Sequence, residues 1–63
     1  MQVGEKKKLT RKTFLHEGIF VHSGSIVKVL EIRDKDVVIE FTDMEGHPHR
    51  LEGVQPTELE DIS

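Results

Sequence analysis

The chain has 63 residues, no cysteine and a formal net charge of −3. A chain this short makes one domain at most and buries only roughly 60% of the surface its unfolded form exposes. Without cysteine, disulfides, thiolate zinc sites and cysteine nucleophiles are excluded.

Charge is unevenly placed. Residues 1–33 hold seven Lys and Arg against three Asp and Glu, whereas residues 34–63 hold two against nine. Such asymmetry suggests an interaction arm or tail. Residues 1–8 read as a basic N-terminal arm and residues 9–63 as a single small β domain.

In chain order, Lys8 to Leu15 reads as a first strand with a poor apolar signal. That predicts an edge strand or one completed by a partner. Gly18 to His22 reads as a short second strand, stopped at Ser23-Gly24. Ser25 to Ile32 reads as a third, with Val27 and Val29 on one parity and Leu30 and Ile32 on the other. A bulge between Val29 and Leu30 reconciles the two. Arg33 to Asp36 is a polar hairpin loop, followed by Val37 to Thr42, the clearest strand. There Val37, Ile39 and Phe41 share one face, while Val38, Glu40 and Thr42 share the other.

Asp43 to Gly46 is a turn by composition, and His47 to Val54 is a fifth extended segment. Pro48 marks that strand's edge or beginning, because it cannot donate to a ladder. Gln55 to Ile62 allows one helical turn, with Leu59 and Ile62 closing one end of the core. The expected fold is all-β: a small five-stranded barrel or a strand-exchanged β dimer, with a short C-terminal helical turn.

The apolar runs Ile19-Phe20-Val21 and Val37-Val38-Ile39 fall far short of the about 20 residues of a membrane span. They also fall short of the roughly 7 apolar residues of a signal-peptide core. A soluble cytoplasmic protein, with no membrane contact, is expected.

His47 and His49 lie two apart and share a strand face, as a chelating pair does. Zinc requires three or four ligands, so no metal or other cofactor is expected. His, Ser and Asp are present without a nucleophile elbow or a glycine-rich phosphate loop. A non-enzymatic binding module follows.

The densest cations are Lys6, Lys7, Lys8, Arg11 and Lys12. Clustered Lys and Arg suit phosphate through counterion release. Lysines on an edge strand have a structural use as well, since they block edge-to-edge aggregation. The chain has no Tyr or Trp, and Phe14, Phe20 and Phe41 read as core, which leaves no aromatic platform for bases.

Leu9-Thr10-Arg11-Lys12 resembles the opening strand of the carbon-storage regulators, small RNA-binding proteins of bacteria. Glu17, Ile19 and Val21 resemble that family's second strand, and Lys28-Val29-Leu30-Glu31-Ile32 its third. Val37 and Ile39 match its fourth, and His49-Arg50-Leu51-Glu52 the basic end of its fifth. The resemblance implies an interleaved homodimer in which the first strand of one chain lies beside the fifth of the other. It further implies a single-stranded RNA surface built from Lys8, Leu9, Thr10, Arg11, Lys12, His49 and Arg50. The chain departs from the family by two extra residues between Lys12 and Glu17 and by His22 in place of a glycine.

A second resemblance is to SH3-like and Tudor-like barrels, carried by Gly24 to Ile32 and Val37 to His47. It implies a protein-interaction adaptor. Asp43, Glu45 and Glu58 would then face a basic protein partner, with opposite charges steering encounter. RNA binding is the first expectation and the adaptor the alternative.

Overall fold

A computed structural model describes residues 1–62. The chain is all-β, with a single 3₁₀ turn near the C-terminus. The strands are β1 (Lys6–Leu9), β2 (Phe14–His16), β3 (Ile19–Val21), β4 (Ile26–Ile32), β5 (Val37–Thr42), β6 (Pro48–Val54) and β7 (Leu59–Glu60). They form a five-stranded antiparallel sheet of order β6-β5-β4-β1-β7 and a separate β2–β3 hairpin.

The last three strands of the sequence reading keep close to their expected places. The expected first strand does not. It divides into β1 and β2, and β1 starts at Lys6, within the segment read as a basic arm. Nor is β1 an edge, because β4 and β7 of the same chain take both its sides. The sheet edges are β6 and β7.

Two bulges decide which apolar residues reach the core. The β4–β5 register shifts between Val29 and Glu31, at the place where the apolar phase of β4 changes. Val27 and Val29 are buried before it, whereas Leu30 is half-buried and Ile32 exposed after it. On β6 the register shifts where Val37 pairs with Val54 and Ile39 with Leu51. The extra residue falls at Glu52–Gly53, and Gly53 adopts φ 76°. Leu51 and Val54 differ in parity, yet the bulge turns both inward.

The core comprises Leu9, Val21, Val27, Val29, Val37, Ile39, Phe41, Leu51, Val54 and Leu59, with Phe14 and Ile19 packed against it. Val38 is also fully buried, but it lies outside this cluster. It pairs with Glu31 on the opposite face of β5 from Val37 and Ile39. Across that face Glu31, Arg33, Arg50 and Glu52 form a ring of ion pairs that bridges β4 to β6 over β5. The aliphatic stems of such residues shield apolar surface while their charged ends stay wet.

At the C-terminus Pro56–Glu58 form the 3₁₀ turn, and Leu59 is buried as expected. Ile62 is exposed and closes nothing. The turn is too short to carry the chain round to the core a second time, because Leu59 already enters β7.

Candidate functional site

The β2–β3 hairpin alternates cleanly. Phe14, His16, Ile19 and Val21 face the core, while Leu15 and Phe20 face out. The register places Leu15 directly opposite Phe20, and the two are 61% and 65% exposed. The expectation that Phe20 belongs to the core is therefore corrected: its parity within the hairpin puts it outside. Outward positions of a surface hairpin are ordinarily polar, so an exposed apolar pair stands out.

Phe20 borders an open groove of about 510 Å³ between β3, the start of β4 and the β5–β6 turn. Ile19, Val21 and Phe41 contribute apolar wall, and Ile26 and the fully exposed Met44 complete it. The charged lining residues are Asp43 and Glu45; no Lys or Arg lines the groove. Exposed apolar surface gathered in one place, rimmed by polar residues, marks interaction sites.

Asp43 builds the turn that carries Met44 and Glu45. Its Oδ1 accepts the backbone N–H groups of Glu45 and His47, each at 2.9 Å. Its Oδ2 lies 2.7 Å from Nε2 of His49. The His49 contact, followed by these backbone donors, holds the Asp43 carboxyl down at about 2. His49 stacks on Phe41 with ring centroids 5.1 Å apart, and His16 meets the same ring edge-on. Phe41 thus connects the hairpin to the turn. His47 and His49 share no chelating geometry with a further ligand. Among the described residues no group of three His, Asp or Glu side chains is placed to hold a metal ion.

On the far side of the groove, the hairpin turns at Glu17 and Gly18, with φ 51° and 80°. Positive φ at both central residues is the type I′ geometry that matches strand twist. Glu17 stands where Asn or Gly is favoured, and its exposed carboxylate lies 4.0 Å from Nε2 of His16.

The residues of the RNA reading disperse. Leu9 is fully buried and offers no surface. Lys7, in the same basic run, is 8% exposed and pairs with Asp61 and Glu5. Arg11 grips Glu58 through Nε and Nη2, both at 2.7 Å, donates to the Gly53 carbonyl and lies over the Phe14 ring. Arg50 belongs to the ring over Val38. β4 and β5 separate β1 from β6 in the sheet. Arg11 is held by Glu58, whereas the exposed Arg50 lies 3.5 Å from Glu31 and 3.7 Å from Glu52. Lys8, Thr10 and Lys12 remain at least partly accessible.

The acidic residues of the adaptor reading divide as well. Asp43 and Glu45 stand at the groove. Glu58 is turned to Arg11 and to the N–H of Gln55, which together hold its carboxyl at about 2. The groove itself was missed in the sequence, although Phe20, on the outward parity of its hairpin, carried part of its signal.

Fold and site define a small all-β module with an apolar groove and an acidic rim. Compared with known protein families, curated proteins and solved structures, the chain matches none.

Proposed function

We propose that this chain is a non-enzymatic protein-interaction module whose groove receives a peptide segment bearing an apolar residue beside Lys or Arg. One observation carries the reading: Phe20, Ile26 and Met44 converge, exposed, on a groove whose only charged lining groups are carboxylates. An apolar anchor supplies most of the affinity in such a site. A neighbouring cation is steered by this negative rim and oriented by Glu45, since the oxygens of Asp43 are already engaged by the turn and by His49.

The adaptor alternative rests here on the groove and not on a family likeness. The RNA reading has less support, because Arg11 and Arg50 are engaged within the chain and Leu9 is buried.

Selection of a random-peptide display library against the intact chain tests the proposal. The expected winners carry an aromatic or aliphatic anchor next to Lys or Arg, and Phe20→Ser abolishes their binding. Winners that bind Phe20→Ser and Met44→Ser as well as the parent would overturn it.

A further inference from the structure

The groove borders the outer face of the sheet at Ile26. Ile26 is the hinge between them. It lines the groove, yet it also lies directly opposite Lys8 of β1 and two residues before Lys28 on the same face of β4. Lys28 in turn sits directly opposite Lys6. Like charges so placed repel.

Two carboxylates face these lysines without closing on them. Glu60 faces Lys8 and Glu40 faces Lys28 in the register. Even so, none of Lys6, Lys8 and Lys28 is among the ion pairs of the described residues. Of the other cations, Lys7, Arg11, Arg33 and Arg50 are in ion pairs, while, among the described residues, the loop residues Lys12 and Lys35 are not.

We propose that the peptide taken by the groove continues over Ile26 and sets an anionic side chain, a carboxylate or a phosphate, on this lysine trio. The inference rests on the peptide-binding reading and gives it a direction. The partner's cation lies toward Asp43 and Glu45, its apolar anchor against Phe20 and Met44, and its anion between Lys8 and Lys28. An anion there meets ammonium donors from two adjacent strands and relieves the Lys6–Lys28 repulsion. Two residues of strand span roughly 7 Å, so in an extended peptide the acid lies about two residues beyond the position that crosses Ile26.

The peptides recovered from the display library decide the matter. Expected winners place Asp or Glu on the side of the anchor opposite the cation. Synthetic versions with that residue as Ala, Glu or phosphoserine are then titrated calorimetrically, the last two distinguishing carboxylate from phosphate as the preferred anion. The acidic versions bind about fivefold tighter than the Ala version, a gain of the size one partly exposed ion pair supplies. Lys8→Gln with Lys28→Gln removes that gain and leaves the Ala version unchanged.

Winners that lack an acid preference, ignore the lysine changes and still need Phe20 overturn this inference and leave the peptide groove standing. Winners indifferent to Phe20→Ser overturn both. Single-stranded RNA that binds the parent chain and is lost in the double Gln variant, with no effect of the peptide acid, assigns the trio to phosphate backbone and overturns the inference as well.

Discussion

Arg11 and Glu58 form a two-pronged ion pair, with Nε and Nη2 each 2.7 Å from a carboxylate oxygen. The pair ties the loop after β1 to the 3₁₀ turn that leads into β7. The N–H of Thr10, donating to the Glu58 carbonyl at 2.7 Å, reinforces the tie. Arg11→Lys keeps the charge but not the fork. It is expected to lower stability by about 1 kcal/mol, read from urea denaturation, with Glu58→Gln giving a similar loss at neutral pH.

The same pair sets an acid response. Arg11 and the Gln55 N–H lower the Glu58 carboxyl from an ordinary 4.5 to about 2. A carboxyl depressed in the folded state binds fewer protons there than in the unfolded chain, so its contribution is complete above pH 4.5 and is lost as pH falls toward 2. Asp43, lowered from 3.8 to about 2 chiefly by His49, acts in the same sense. Thermal unfolding followed from pH 6 down to about 2 should show falling Tm across this window, and Glu58→Gln should flatten part of the fall. A parent chain whose Tm stays level would refute the assignment.

The two phenylalanines beside the groove should behave oppositely. Phe41 is 4% exposed and stacked on His49, so Phe41→Ala is expected to cost about 3–5 kcal/mol, enough to unfold a domain of this size. Phe20→Ser changes an exposed side chain and should leave stability within about 0.5 kcal/mol. Circular dichroism melts of the two variants give the comparison.

Glu17 occupies a left-handed position at a type I′ turn. Glu17→Asn supplies the preferred Asn-Gly pair and should stabilise the chain by about 0.5 kcal/mol or more. A melt in which Glu17→Asn is less stable than the parent would mean that the carboxylate makes a compensating contact.

Lys6 lies directly across from Lys28. Lys6→Glu turns a repulsive cross-strand pair into an attractive one and should raise stability by about 0.2–1 kcal/mol. The gain should shrink in 1 M salt, where the Debye length is about 3 Å. A gain independent of salt would point to packing rather than charge.

Much of this architecture is legible in the residues alone. Alternation over Val37 to Thr42, the phase change after Val29 and the glycine turn at Gly46 declare the β4–β5–β6 meander, because burial on one sheet face imposes a period of two. These are local signals. They could not declare that Lys7 meets Asp61, 54 residues away. Nor could they declare that Arg11 is held by Glu58 or that Arg50 joins a ring of charges on the face of Val38.

Phe20 is the sharpest case. Its hydrophobicity argues for the core, but the hairpin register pairs it with Leu15 on the outer side. The amino-acid sequence by itself determined an all-β chain without cysteine chemistry, with the β4–β5–β6 meander and its turns, because these depend on side-chain periodicity and backbone preference between near neighbours. Only the tertiary structure decided which cations are free and which apolar side chains are exposed together. Charge pairing and surface exposure depend on groups brought close by folding, and sequence spacing does not encode those distances.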